Sequence, residues 1–589
     1  MSKPVKIDTV VAINPVQTAL KRLGFDDFIG SQQICVESLM RGQDVLALLP
    51  TGAGKSAIYQ VASLARTGVG LVISPLIAIM QQQVVSLQAL GVRAEFLNST
   101  QNGAEQNDLY WRLRHNDVEI LYMSPEKLLQ ASVLGLLEDI DVSCIAIDEA
   151  HCVMRWGSQF RPEYAQLGCL KEKFPEVPVI ALTGTLLPEN QQQVQVALGL
   201  FEPNVVRESV NRPNIRLQVS QKRRAKQQLL SFLMKDGMAQ PGIVYCRSRS
   251  KTEELSKWLT SHGIQATCYH ANLSSCERDF AHQRFAQGKV QVLVATTAYG
   301  MGIDLDHVRF VVHMDLPLSI ENYAQEIGRA GRDGKPAQAL LFYGLQDIMQ
   351  TWEFVQQEGL EPEFWRLMSC LEHPQCRRAS LLSAFDEMAE SECGNCDRCT
   401  NKGKQHNVTV AAQKFLSLVH FTRGGVPFAS LVNTLLGKSI KSVTNFGLEK
   451  HGLFGSGKSL DELQWKAVVR QLLAKGFLTQ RSVRPFSVML TEKSRLVLRS
   501  EEQIIVSSDW FYPALKDTDL EMLSQGAWSE LMQWSVANRV SEYLSETQLH
   551  KVFESQPSSL ASMSRITGLS KNRLTELNAH TLFVEGQYE

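Results

Sequence analysis

The run VLALL (45–49) passes directly into PTGAGKS (50–56) and then into AIYQVASLA (57–65). The first segment reads as a short buried strand, the second as a glycine-rich turn and the third as a helix. Strand, turn and helix in this order form an α/β unit and give a phosphate-binding loop the context it needs. Gly52 and Gly54 let backbone N–H groups approach phosphate oxygens with no Cβ in the way. Lys55 supplies a point charge for the β- and γ-phosphates, Ser56 can ligate Mg²⁺, and Thr51 and Ala53 complete the loop. The strict pattern asks for glycine at 49, where Leu49 stands, so the loop needs support from elsewhere in the chain.

CIAIDEAH (144–151) supplies it. A buried-type strand ends in Asp148–Glu149, with Asp148 placed to hold Mg²⁺ and Glu149 to orient or deprotonate an attacking water. A carboxylate pair at a strand end says little alone; downstream of a phosphate loop it says a great deal. A second α/β unit follows. Residues 242–273 read strand, helix, strand, and residues 290–317 add two strands around a glycine-rich turn. YAQEIGRAGRDG (323–334) then places Arg329 and Arg332 three apart, as if on one helix face. Arginine is always charged and matches phosphate bidentately. These arginines are expected to reach the γ-phosphate of an ATP held in a cleft between two domains, and to do so only when the cleft is shut.

At 589 residues the chain exceeds one hydrophobic core, and domains of ~150 residues suggest three to five of them. No apolar run approaches the ~20 residues of a membrane span, and the N-terminal MSKPVKIDTV has no signal-like apolar segment. Twelve cysteines in so long a chain do not suggest a disulfide scaffold, and a cytoplasmic setting is expected. Cys376, Cys393, Cys396 and Cys399 suit a closed tetrahedral Zn²⁺ site with a structural role; an Fe–S cluster is the rival, and Cys370 reads as a bystander. The net charge is −1, but residues 401–500 hold 16 Lys+Arg against 4 Asp+Glu, a footprint for a polyanion, whereas residues 501–589 hold 6 against 13.

In residues 406–503, helices at 410–421, 427–437 and 459–476 precede two strands joined at Arg484-Pro485-Phe486, a winged-helix pattern. Ser459 and Glu462 read as a capping box, and Trp465, Val468, Val469 and Leu472 as a core stripe. Arg484 and Phe486 are candidates for a wedge at the wing tip, one on the DNA backbone and one stacked on a terminal base pair, against the plainer reading of an apolar turn. The acidic segment 504–589 reads as a helical region.

In this order, PTGAGKS, SPLIAIM (74–80), LNST (97–100), DEAHC (148–152), WGSQFRPEY (156–164), ALTGT (181–185), RPNI (212–215), YHANL (269–273), ATTAYGMGID (295–304), QEIGRAGRDG (325–334) and CGNCDRC (393–399) resemble the RecQ family of DNA helicases, within helicase superfamily two. DEAHC followed by WG and FRPEY is the specific part; DEAH alone would fit RNA helicases. The resemblance implies an N-terminal tail (1–11), two tandem RecA-like parallel-sheet domains (12–207 and 208–343), a zinc-binding subdomain (344–405), a winged helix (406–503) and a divergent HRDC-like helical region (504–589). It implies ATP-dependent 3′-to-5′ translocation on single-stranded DNA and unwinding of duplex DNA in repair or recombination, with ATP, Mg²⁺ and Zn²⁺. Phe25 and Gln32 would read adenine, Asp304 and Gln325 would join the nucleotide site, and Trp156, Phe160 and Arg161 would sense single-stranded DNA. DNA is the expected partner, a single-strand-binding protein is a candidate partner at the winged helix, and a monomer is expected. Alternatives are an RNA remodeller with the same motor, or a DNA-binding scaffold with a vestigial ATPase.

The chain departs from the family pattern in three places. Ile29 stands where an arginine would stack on the base, Ser158–Gln159 replace His-Asp after WG, and Gly184 replaces alanine in the TAT turn. Weaker adenine selection and looser coupling to DNA are expected.

Overall fold

The computed structural model describes residues 14–507, except 51, 76, 99–100, 155–161, 236–239, 301–304, 402 and 484, together with scattered residues between 540 and 577. Two parallel sheets dominate it. The first comprises β1 (Val45–Leu48), β2 (Val69–Ile73), β3 (Ala94–Leu97), β4 (Ile120–Met123), β5 (Val142–Ile147), β6 (Val179–Thr183) and β7 (Asn204–Arg207), in the order β3-β4-β2-β5-β6-β1-β7. β1, β2, β4 and β6 are buried along their whole length, as a sheet covered by helices on both faces requires. One core cluster lies on each face. The order puts β5, β6 and β1 side by side, so the loops leaving their C-terminal ends meet at one edge, where parallel sheets place their ligands.

The second sheet comprises β8 (Ile215–Gln221), β9 (Gly242–Tyr245), β10 (Ala266–Tyr269), β11 (Val292–Ala295), β12 (Phe310–His313) and β13 (Ala337–Tyr343), in the order β10-β11-β9-β12-β13-β8. All its pairings are parallel. The core on one of its faces does not stop at the domain. It continues through Phe364 and Leu367 of the following helices, and Phe385 in the turn after them, into Phe415, Trp465 and Val488.

Those helices are Leu345–Glu358, Glu361–Glu372, Arg377–Ser383 and the single turn Asp397–Thr400. Next come β14 (Gln405–Asn407), helices Thr409–Phe421, Phe428–Leu435 and Glu462–Ala474, then β15 (Leu478–Val483), β16 (Phe486–Leu490) and β17 (Ile505–Ser507). β15 and β16 form an antiparallel hairpin wing behind the helices. Trp465, Val468, Val469 and Leu472 are fully buried, as their spacing predicts. The helix start differs from the expected one. Asp461, not Ser459, is the N-cap, and Gln464, not Glu462, closes the capping box. Of the C-terminal region, the helix Lys571–Glu576 is described. Among the described residues no helix is long and apolar enough to cross a membrane.

Candidate active site and metal centre

The phosphate loop bends between β1 and the helix Lys55–Ala65. Gly54 ends it at φ +65°, and a Cβ there would lie 2.4 Å from Gln32 Nε2, so both the backbone conformation and the close approach demand glycine. Gln32 is buried, and its amide donates to Ala53 O at 3.0 Å and Gly54 O at 3.1 Å while its Oε1 accepts from Ile29 N. A side chain expected to read adenine is therefore also tied to the phosphate loop. Phe25 is half-exposed nearby in sequence, and Ile29 is 71% exposed, so among the described residues little covers the position where a stacking arginine is absent. Lys55 Nζ donates to Leu49 O at 3.2 Å.

Asp148 follows β5, and its N–H donates to Ile73 O of β2. Burial, and then the neighbouring Glu149 charge, push the Asp148 carboxyl up to about 6, while Lys55 pulls it down. Such a carboxylate is poised for a divalent cation, which would replace the lost hydration. The donor set of Ser56 and Asp148 therefore fits Mg²⁺. Glu149 sits at φ +50°, a left-handed conformation uncommon for glutamate, and is buried. His151 lies between Glu149 and the TGT turn: its Nδ1 is 2.9 Å from Thr183 Oγ1 and 3.4 Å from Glu149 Oε2. Tyr164 Oη donates to Asp148 O at 2.9 Å, which anchors the far end of FRPEY to the carboxylate strand.

In the second domain the helix Ile320–Ile327 ends before the arginines. Arg329 and Arg332 thus stand on the turn beyond it and not on a helix face, because Gly328 is already the helix C-cap and the left-handed Gly331 turns the chain away. Gly331 has φ +59°, and a Cβ there would meet Asn214 Nδ2 at 2.4 Å. The turn is gripped from RPNI. Arg212 donates to the carbonyls of Gly328, Ala330 and Gly331, and Asn214 Nδ2 to those of Gly331 and Lys335. Arg378, next to the first zinc-site cysteine, in turn donates to Arg212 O at 2.6 Å and Ile215 O at 2.5 Å. Arg329 is buried against Gly300, and Gln325 is buried on the helix. Sequence reasoning assigned no role to Arg212, Asn214 or Arg378; RPNI was legible as a motif, but its carbonyl partners lie more than a hundred residues away.

Cys376, Cys393, Cys396 and Cys399 converge, with all four Sγ atoms within 4.8 Å of one another. Cys376 and Cys396 Sγ are 4.0 Å apart, close to the roughly 3.8 Å that tetrahedral geometry and Zn–S bonds of about 2.3 Å require. Backbone N–H groups of Ala379 and Asn395 point at Cys376 and Cys393 sulfurs. This arrangement favours thiolate, the form that binds metal. Cys370 is buried outside the cluster.

Phe486 flanks the two-residue turn of the wing, paired with Val483 across it. It opens β16, is 6% exposed, and packs its ring 5.7 Å from that of Phe428. Its ring is turned into the winged-helix core against Phe428, which agrees with the plainer reading of an apolar turn and not with a ring standing free for a base pair. Arg484, Trp156, Ser158, Gln159, Phe160, Arg161, Thr51 and Asp304 lie outside the described residues.

A phosphate loop with a DEAH strand end, a second parallel sheet carrying paired arginines, a four-cysteine site and a winged helix together define an ATP-driven helicase of the two-sheet motor class. The DEAD/DEAH box helicase family matches residues 30–194, the helicase conserved C-terminal domain 224–334, the RecQ zinc-binding family 346–400 and the RQC domain 402–512. The chain is 39% identical over 502 residues to the ATP-dependent DNA helicase RecQ of Pasteurella multocida, covering 83% of this chain and 79% of that one. Its identity to the protein of the same name is 38% in Haemophilus influenzae (82% and 79% covered) and 31% in Bacillus subtilis (81% and 82%). The chain belongs to the RecQ family of ATP-dependent DNA helicases. It acts on DNA with ATP and Mg²⁺ and carries a structural Zn²⁺.

Proposed function

We propose that this helicase moves 3′ to 5′ along single-stranded DNA and opens forked duplexes in repair or recombination, as a cytoplasmic monomer. A single-strand-binding protein is proposed to dock on its basic winged helix. The observation that carries the motor reading is the Lys55, Asp148 and Glu149 group at one sheet edge, with Asp148 half-buried beside the buried Glu149 carboxylate. Lys55 and the N–H groups of residues 51–56 hold the phosphates; Ser56 and Asp148 hold Mg²⁺, which supplies charge neutralisation when bound. Glu149 takes the proton of the attacking water, and Gln325, Arg329 and Arg332 meet the terminal phosphate from the second domain. Gln32 and Phe25 contact adenine, and Asp304 completes the pocket. Trp156, Phe160 and Arg161 touch the strand, and Arg484 the backbone at the wing. The domain limits are those given above. Strand displacement on 3′-tailed, 5′-tailed, forked and four-way DNA, with Lys55→Ala as control, tests the reading: opening of 5′-tailed substrates only would overturn the polarity, and equal opening of RNA duplexes the DNA preference.

A further inference from the structure

Leu187 belongs to the first domain, two residues beyond the TGT turn, yet its side chain is fully buried in the core of the second domain. Its N–H donates to Glu321 Oε1 at 3.2 Å, and Asn190 Nδ2 donates to the same oxygen at 3.4 Å. Leu187 is the N-cap of the 3₁₀ turn Pro188–Asn190, which runs into the helix Gln191–Ala197. Glu321 therefore accepts, from another domain, the N-cap N–H of this turn, the bond that the N3 side chain of a capping box would otherwise accept. On one side this contact leads back to catalysis: Thr183 holds His151, and His151 faces Glu149. On the other it lies in the first turn of the helix that carries Gln325 and delivers Arg329 and Arg332.

We propose that Glu321 is a positioning residue that registers the arginine turn against the first domain, so that closure of the domains on DNA reaches the Glu149 side of the nucleotide site through its hydrogen bonds to Leu187 and Asn190. The inference goes beyond the helicase activity and rests on the reading of Arg329 and Arg332 as the groups that meet the terminal phosphate. A carboxylate there is conditional. Burial and then the Glu363 charge push Glu321 up to about 7, opposed by the Leu187 N–H, His151 and Asn190. Glu363 itself adjoins Glu189, Arg366 and Glu361, and Arg366 pairs with Glu189 across the same seam at 2.6 Å.

The test is steady-state ATPase of the full chain, with and without saturating single-stranded DNA. Glu321→Ala should lower the DNA-stimulated kcat about tenfold or more, with KM for ATP and the DNA-free rate within about twofold of wild type. Glu321→Gln, which keeps one acceptor oxygen, should stay within about threefold and lose the pH dependence near neutrality. Asn190→Asp sets a like charge against Glu321. It should depress the DNA-stimulated rate above about pH 7 and recover near pH 6, where Glu321 is protonated. An unchanged DNA-stimulated kcat in Glu321→Ala, an equal loss with and without DNA, or a rise in KM alone overturns the inference. If Glu321→Ala does not fold, a wild-type rate or a pH-independent loss in Asn190→Asp does the same. Arg332→Ala runs in parallel: retained turnover there sinks the arginine reading itself, whereas an inactive Arg332→Ala beside wild-type-like Glu321 variants sinks only this inference.

Discussion

A desolvated carboxylate next to another carboxylate destabilises a protein until a cation arrives, and the half-buried Asp148 is such a group. Its folded-state value is raised above the unfolded one, so the folded protein binds the extra proton between roughly pH 4 and pH 6, and stability falls as pH rises through that window. Asp148→Asn should therefore raise the melting temperature of the nucleotide-free protein at pH 7.5, and the gain should vanish below about pH 4; ATPase should fall by about a hundredfold or more. Thermal melts at the two pH values check the sign, which a purely structural role for Asp148 would reverse. Ile29 is the second residue with a consequence. It is exposed where the family pattern has a stacking arginine, so Ile29→Arg should lower KM for ATP about two- to fivefold, the effect of a cation–π contact of about 0.5–1 kcal/mol. An unchanged KM for ATP beside that for other nucleoside triphosphates would refute it.

At the scale of elements, the wing and the zinc turn make separate predictions. Phe486 packs on Phe428 inside the hairpin, so Phe486→Ala should cost about 3–5 kcal/mol of stability, read by denaturant unfolding. A variant of wild-type stability that no longer separates strands would restore the wedge. The zinc turn does more than close itself: Arg377 pairs with Asp397 inside it at 3.0 Å, and Arg378 reaches out to Arg212. Cys393→Ser should thus lose zinc and also slacken the arginine turn, lowering kcat for ATP hydrolysis although none of the four zinc-site cysteines lies near the phosphate loop in sequence. Metal content and kcat measured on one preparation decide it; zinc loss with full ATPase would show that the brace from Arg378 is idle. The wing tip and the zinc ligands were both legible as elements. The direction of Phe486 was not, because its packing partner Phe428 lies far off in the chain and on another element.

Across the whole molecule, the second sheet, the zinc helices and the winged helix share one core, and a buried network locks them together. Arg470 Nε donates to Glu372 Oε1 at 2.8 Å, Tyr343 Oη donates to the same oxygen at 2.5 Å, and Gln471 Nε2 donates to Glu372 Oε2 at 2.9 Å. Tyr343 lies on β13, Glu372 on the zinc-subdomain helix, and Arg470 and Gln471 on one helix of the winged helix. Arg470→Met leaves Glu372 buried without its cation and should cost about 3–5 kcal/mol. It should also free the winged helix to melt separately, seen as a second transition by calorimetry; a single transition at the wild-type temperature would show that the network does not couple them.

Much of the site was readable before any coordinates. Local spacing sufficed for the strand–turn–helix at 45–65, the strand ending at Asp148–Glu149 and the four cysteines, because each is a short-range pattern whose chemistry demands those residue types. Tertiary structure alone decided that the arginines leave their helix, that Arg212 holds their turn by its carbonyls, that Phe486 faces inward, and that Leu187 is buried in the domain it does not belong to. The division has one physical cause. Backbone conformation and ligand chemistry are set by neighbours in the chain, whereas burial and hydrogen-bond partners are set by neighbours in space, which the order of residues specifies only through the complete fold.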